Sequence, residues 1–537
     1  MRKRAVVFFI VILFAFCGLV TRVFQLTRNG LENAAEQQAT TTVVAANSRG
    51  TIYDRWLRPL VNTGVSYRAC IAPFPDTIAR LSEQLRPEAF QSLGERLKKG
   101  RPIAAVLESP LSPVNGVIQF EAPVRYDQRL YAPHLIGYMD GDGVHGATGM
   151  ELVFDELLGH YAGRAAVTYT VDGAGKTLSG VAPTVANTLD YAKGGVALTI
   201  DRDIQAIVER AAPAYLTKGA VVVMDTATGN LLALASFPSF QPDTVASCLE
   251  DSNSPLLNRA LCNYNCGSVF KIVSAAAALE AGVPISRTYT CNGSVTVDGV
   301  TFHCHNRMGH GQLDMTGAFA QSCNCYFINL MLDIGGRPLY DMAVTLGFDR
   351  SIILTEGYKT TRAVLPEAEE LTAESAIANL SFGQGKLLAT PVHIAQLVNT
   401  VVNGGSLLRP NLLLGRVDEN GQLNLEAQTP TQETFSASTA IILRELMLAG
   451  VAEGSTGETA NPINGGAGGK TGTAETGWKT EDGEVVQSWF AGFYPAESPR
   501  YTIVVLAEDS NATGGRSSPV FRRICDELYA LELAETE

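Results

Sequence analysis

A serine three residues ahead of a lysine opens the stretch "NYNCGSVFKIVSAAAALEAG", residues 263–282, in which Ser268 and Lys271 stand at the mouth of an alanine-rich, helix-forming segment. Residues at i and i+3 share a helix face, and a serine in the first turn lies beside N–H groups that lack intrahelical partners and favour developing negative charge. A serine hydroxyl is a weak nucleophile and needs a base. A lysine serves as that base only if burial or a neighbouring cation depresses its pKa. Val269, Phe270, Ile272 and Val273 supply an apolar setting of that kind. The chemistry this pair points to is acyl transfer through a serine ester. Alone it is weak, because a chain of this length carries about one or two Ser-x-x-Lys by chance.

Two further pieces strengthen it. Ser322 and Asn324 bracket Cys323 after a short helical segment, and Lys470, Thr471 and Gly472 form a glycine-flanked Lys-Thr-Gly in "GGKTGTAE", placed where a strand leads into the hairpin that contains Trp489. Three motifs in this order, the first at a helix start and the last on a strand, are a specific signal where each by itself is not. No histidine pairs with an acid at a recognisable spacing, so no histidine-based triad is expected. "GATG" and "GGAGG" are turns and a strand lead-in, without the strand, lysine and helix pattern of a phosphate loop.

The elements that must position these residues are legible as well. "VALTIDRDIQAIVERAA" is a strand passing into a helix that Asp201 caps, and "GAVVVMDTATGNLLALAS" is a buried hairpin turned at Thr-Gly. "VVQSWFAGFYP" and "RYTIVVLAED" form paired buried strands, and "RRICDELYALELAE" closes the chain as a helix. A sheet built from both chain ends, with helices packed on it and a helical insertion, is the expected outcome. Before it, from Gln25 to about Lys193, short strands alternate with turns and two amphipathic stretches, Asp76–Lys99 and Met150–Leu158, an α+β module without chemistry of its own. "YAKGG", residues 191–195, is the expected hinge.

The chain has 537 residues, long enough for two or three domains, and a net charge of −13, which argues against a nucleic-acid surface. "MRKR" precedes an uncharged run from Ala5 to Thr21, about 17 residues, the lower limit for crossing a bilayer. Arg2, Lys3 and Arg4 should keep that end cytoplasmic and place the rest of the chain outside, so an uncleaved single-pass anchor in the cell membrane is expected.

These stretches resemble the class B penicillin-binding proteins, the monofunctional peptidoglycan transpeptidases of division, elongation and sporulation. "RGTIYDR" (49–55), "LIGYMDGDGVHGATGMELVFDELLG", "VVMDTATGNLLALASFPSF", "NRAL" and "FGQGKLLATPVHIAQLVNTVVNGG" add to the three motifs, over nearly the whole chain. The resemblance implies a membrane anchor (1–28), an α+β pedestal of dimerisation type (29–193) and a transpeptidase domain (194–537). The last would be an α/β, serine β-lactamase-like fold with a central antiparallel sheet flanked by helices.

By matching motif, Ser268 would be the acylated nucleophile and Lys271 its base. Ser322 would relay protons, Asn324 would hold the substrate backbone, and Lys470 would keep the cleft cationic and Lys271 neutral. Thr471 would meet a carboxylate, Gly472 would leave room for substrate along the strand, and the N–H groups of Ser268 and Thr473 would form an oxyanion hole. Peptidoglycan stem peptides ending in D-Ala-D-Ala and β-lactams are the implied ligands, and a polytopic glycosyltransferase is the implied partner. No cofactor or metal is implied. The competing expectations are a D,D-carboxypeptidase, in which water replaces the acceptor amine, and a non-enzymatic β-lactam sensor or scaffold.

The sequence departs from the family's pattern at Cys266, which stands where a proline usually precedes the Gly before the nucleophile. It reads as a tolerated substitution, with a disulfide partner and a functional thiol as alternatives. Cys266 is one of ten cysteines, several of them clustered between Cys248 and Cys325. Cys291 and Cys304 flank a hairpin turned at Asp298-Gly299, which sets Cys304 opposite Gly293 and diagonal to Cys291. A disulfide or free thiols are favoured there over a zinc site built from Cys291, His303, Cys304 and His305, because adjacent strand residues point to opposite faces. His310, in "GHGQL", reads as a cleft loop or a turn cap.

Overall fold

The computed structural model describes residues 2–28, 39–127, 129–427, 430–480, 483–511 and 516–536; the first residues of the expected pedestal, 29–38, lie outside them. The chain begins with a helix, Arg2–Arg28, whose stretch Val6–Gln25 has a mean hydropathy of 2.6 and is long and apolar enough to cross a membrane. At a rise of about 1.5 Å per residue, some 20 residues match a hydrocarbon core of about 30 Å.

The chain divides into two compact units, interleaved in sequence. The first comprises Met1–Gly50, Asn62–Asp127 and His160–Lys193, and the second Thr51–Val61, Gln128–Gly159 and Gly194–Glu537. Residue 194 is thus a boundary, but two segments before it in sequence belong to the second unit. For Thr51–Val61 the reason is a strand, Thr51–Tyr53, that pairs in parallel with Gly195–Leu198. A charge cluster continues that attachment. Buried Asp54 accepts from the N–H groups of Trp56 and Arg58 and from Arg58 Nε, while Arg58 also reaches Asp201 and Asp203 at the start of the helix Arg202–Ala211. Asp201 caps that helix as expected, its carboxylate accepting from Asp203 N at 3.0 Å.

The first unit has two three-stranded sheets, Thr40–Ser48/Gly163–Thr170/Thr184–Asn187 and Ile103–Leu107/Gly64–Ile71/Val117–Val124. The amphipathic stretch 76–99 is two helices, Pro75–Gln84 and Pro87–Leu97, because Pro87 cannot continue the first but fits the opening turn of the second. Their faces bury Leu81, Leu93 and Leu97 against Ala69, Ile71, Ala105 and Leu107 of the second sheet.

The second unit is built on a five-stranded antiparallel sheet. Its strands, labelled in chain order, are β1 (Lys218–Asp225), β2 (Leu231–Phe237), β3 (Gly468–Thr480), β4 (Gly483–Tyr494) and β5 (Tyr501–Asn511), in the spatial order β2-β1-β5-β4-β3. The apolar runs of β1 and β5 are unbroken because both faces are covered. Ile204, Ile207 and Val208 of the helix Arg202–Ala211, with Val520, Phe521, Ile524 and Leu528 of the helix Ser517–Thr536, bury one face through Val221, Val223, Ile503 and Val505. On the other face lies the helix Pro391–Val402, buried along nearly its whole length, whose Asn399 Oδ1 accepts from Thr502 of β5 at 3.2 Å. The helical insertion lies between β2 and β3 and carries both other motifs.

Candidate active site

Ser268 stands in a 3-10 turn, Gly267–Phe270, and Lys271 is the first residue of the α-helix that follows, Lys271–Glu280. The helix is nearly all apolar and fully buried along most of its length, so Lys271 is carried inside with it; Lys271 is 0% exposed, and Ser268 half-buried. The turn is held from two sides. Arg259, in "NRAL", is buried with its guanidinium donating to Glu508 of β5 at 2.5 Å and to the carbonyls of Asn253 and Ser254, and Tyr264 donates its hydroxyl to the same carboxylate at 3.1 Å. A buried ion pair with its remaining donors satisfied fixes geometry, and here it fastens the approach to the serine onto the sheet. Trp489 of β4 donates its indole N–H to Asn265 O at 2.9 Å.

The edge strand β3 packs directly on the serine turn. Gly267 has φ +55°, and a Cβ there would lie 2.7 Å from the Thr473 carbonyl oxygen. A Cβ on Gly472 would meet Cys266 O and Val269 Cγ1, each at 3.0 Å, and Trp489 Cβ at 3.2 Å. The missing side chain at Gly472 lets strand and serine turn approach closely. Cys266 is fully buried, its Sγ 3.9 Å from Tyr264 O, and burial pushes its thiol up to about 12. That is the behaviour of a small core residue and not of a reactive thiol.

Lys271 joins the first motif to the second. Its Nζ donates to Ser322 O at 2.7 Å, Asn324 Oδ1 at 2.7 Å and Ser322 Oγ at 3.3 Å. Ser322 occupies a left-handed conformation, φ +50°, in the short connection between the helices Met315–Ala320 and Asn324–Ile334. Asn324 turns its other amide atom outward, Nδ2 donating to His303 O at 2.8 Å, so its Oδ1 faces the lysine and only part of its donor capacity is left for a substrate. Lys271 Nζ also lies 5.6 Å from the centre of the Phe327 ring, and Lys470 Nζ 5.6 Å from that of Phe319.

Lys470 is buried on β3, near the Thr471 carbonyl and hydroxyl at 3.3 and 3.5 Å. Thr471 Oγ1 lies 2.9 Å from Thr456 Oγ1, a partner in "EGSTGE" with no motif to announce it. Burial pushes the Lys271 ammonium down to about 8. Burial also lowers Lys470, well below the usual lysine range, and the Lys271 charge adds to that. Desolvation is the main cause at both lysines, and because repulsion between two ammonium groups is mutual, it favours loss of one proton from the pair. What the arrangement can do is hold a titratable amine among three neutral oxygens, one helical turn from a half-buried serine.

The site's cysteines are free, one of the two favoured expectations, but they gather more widely than the hairpin alone implies. The hairpin does turn at Asp298-Gly299, and Cys304 N donates to Gly293 O at 3.0 Å. But Cys304 meets more than Cys291: its Sγ is 3.7 Å from those of Cys291 and Cys323 and 3.5 Å from that of Cys325, with no disulfide. His303 and His305, named only in the disfavoured zinc alternative, are exposed and outside this cluster, and His310 lies in it, with Nδ1 3.5 Å from Cys291 Sγ.

Comparison with known proteins matches residues 219–526 to the penicillin binding protein transpeptidase domain family. Stage V sporulation protein D of Bacillus subtilis is 28% identical over 80% of this chain, and peptidoglycan D,D-transpeptidase PbpA of Mycolicibacterium smegmatis is 32% identical over 57% of it. The chain spans 66% of the length of each, just under two thirds. Peptidoglycan D,D-transpeptidase MrdA of Salmonella typhimurium is 24% identical over 98% of this chain and 96% of its own. In fold, the chain is similar to penicillin binding protein 3 of Mycobacterium tuberculosis solved with aztreonam, at a TM-score of 0.65 and 24% identity, covering 92% of this chain and 97% of that one. The matched residues contain all three motifs and the whole five-stranded sheet but for Lys218, and the chain belongs to the penicillin-binding protein transpeptidase family, as a class B member.

Proposed function

We propose that the protein is a membrane-anchored peptidoglycan D,D-transpeptidase that works through an acyl-enzyme on Ser268. The observation that carries this reading is the triple contact of Lys271 with Ser322 and Asn324, one turn from Ser268 and with the Lys-Thr-Gly strand packed on the serine turn. The Ser268 oxygen attacks the carbonyl of a D-Ala-D-Ala amide while its proton passes to Lys271 Nζ. The oxyanion is met by the N–H groups of Ser268 and Thr473, an interaction whose loss at comparable sites costs about 3 kcal/mol. The C–N bond breaks, the leaving D-Ala amine takes a proton by way of Ser322, and a serine ester remains. An amine from a second stem peptide then attacks the ester, gives its proton back through the same groups and frees Ser268.

Lys470 and the Thr471 hydroxyl would meet the substrate carboxylate, and a β-lactam presents a strained amide beside a carboxylate to the same groups. The apolar helix Val6–Gln25 supports a single-pass anchor with the catalytic unit outside the cytoplasm, and a polytopic glycosyltransferase is the partner that supplies glycan strands. The test is product analysis: the full chain is incubated with a stem pentapeptide, with and without an acceptor amine. Cross-linked product in the presence of acceptor supports transpeptidation. Hydrolysed tetrapeptide alone, whatever the acceptor concentration, would make the enzyme a carboxypeptidase.

A further inference from the structure

Behind the Ser-x-Asn motif lies a group of side chains that acyl transfer does not use. Cys291, Cys304, Cys323 and His310 bring one ligand atom each to within 4.8 Å of one another, and the three cysteines are buried. Four tetrahedral ligands around zinc, at about 2.3 Å for sulfur and about 2.0 Å for nitrogen, stand about 3.8 Å apart sulfur to sulfur and about 3.5 Å sulfur to nitrogen. The separations here are 3.7 Å for Cys291 to Cys304, 3.7 Å for Cys304 to Cys323 and 3.5 Å for Cys291 Sγ to His310 Nδ1. These three separations match edges of a zinc tetrahedron, and a disulfide would need sulfurs at about 2.05 Å.

Two observations besides the distances favour thiolates. Backbone N–H groups point at the sulfurs, Tyr326 N to Cys323 Sγ at 3.4 Å and Cys325 N to Cys304 Sγ at 3.5 Å. The first of these is the N-cap bond of the helix Asn324–Ile334, a place where a neutral thiol is a poor acceptor and a thiolate a good one. The fourth partner is held in place: His310 N donates to Cys291 O at 3.1 Å, which seats the imidazole over the strand Tyr289–Cys291. Its Nε2 is buried with no hydrogen-bond partner among the described residues.

We infer that Cys291, Cys304, Cys323 and His310 form a structural Zn2+ site that fixes the connection carrying Ser322 and Asn324. Cys325, 3.5 Å from Cys304, supports the cluster through its backbone N–H. Cys323 lies between Ser322 and Asn324 in sequence, so a metal bond to its sulfur holds both partners of Lys271. Three thiolates and Zn2+ also carry one net negative charge, close to a buried ammonium whose hydrogen-bond partners are all neutral oxygens. The binding site stands whatever reaction the cleft performs.

The test uses the full chain purified in detergent through a tag that does not bind metals. Elemental analysis should give close to one zinc per chain for the wild type and for Cys248→Ser, and a loss of most of it for Cys304→Ser. Wild-type protein stripped by a chelator should melt at a lower temperature and recover on addition of Zn2+. With Co2+ it should show the sulfur-to-metal charge-transfer band of a thiolate site, a readout that does not require Cys304→Ser to fold. The inference is overturned if the reduced, stripped wild type takes up neither Zn2+ nor Co2+, if Cys304→Ser keeps full stoichiometry, or if peptide mapping finds these cysteines joined in disulfides. None of these readouts depends on acylation, so a failed transpeptidase assay leaves the metal result intact, and the reverse.

Discussion

The two halves of the site are positioned by different means. The serine turn and the Lys-Thr-Gly strand are held by a five-stranded ladder, the Arg259–Glu508 ion pair and contacts that require glycine at 267 and leave little room at 472. The Ser-x-Asn half has no strand. It is a short connection between two helices, with Ser322 in the left-handed region, tied to the rest by Lys271 and by a cluster of sulfurs. A non-glycine residue with φ near +50° costs about 1 kcal/mol or more, and such a conformation persists only where its surroundings over-determine it. The first half is rigid through sheet packing; the second must be made rigid by side chains.

The comparison can be broken where the halves meet. Lys271→Ala removes the base and all three bonds to the second half at once, and acylation by benzylpenicillin should slow by about 10²- to 10⁴-fold in stopped-flow measurements. Asn324→Ala removes one charge-assisted bond and the tie to His303 O, a loss of about 1.5–3 kcal/mol or roughly 10- to 100-fold in the same rate. An equal loss in both variants would mean that Lys271 acts mainly by holding the Ser-x-Asn connection. The pH profile sharpens the assignment of the base. Only the neutral amine accepts a proton, and Lys271 is lowered to about 8, so the acylation rate should rise with pH up to about 8 and level off above it. On the acid side the fall is about tenfold per pH unit, as for one ionisation.

The smallest effect belongs to the sheet-held half. Gly472→Ala pushes a methyl group to 3.0 Å from Cys266 O and Val269 Cγ1, and should lower stability in urea denaturation by about 1–3 kcal/mol. If stability holds and only substrate binding weakens, Gly472 faces the ligand after all.

The sequence carried the first half well and the second poorly, for a physical reason. Ser268, Lys271 and the strand at Lys470 are local patterns: an i, i+3 pair at a helix start, and a glycine-flanked Lys-Thr-Gly leading into a hairpin. The Asp201 cap and the Asp298-Gly299 turn are local too. The sulfur cluster is not, since it gathers residues from 291 to 325 across a hairpin, a loop and two helix ends, and no spacing announces that convergence. The face argument weighed against a zinc site that uses His303, and it had no means of bringing in His310, which arrives on a loop beyond the hairpin. Likewise the short strand Thr51–Tyr53 pairs across more than a hundred residues, so a linear division of the chain could not assign it to the second unit.

The central claim is that both halves serve one nucleophile. Intact-mass measurement of the full chain with benzylpenicillin, beside Ser268→Ala, tests it most directly. The account predicts one covalent adduct on the wild type, by opening of the lactam ring without loss of atoms, and none on Ser268→Ala. An adduct that persists in Ser268→Ala, or a wild type that stays unmodified, would contradict it.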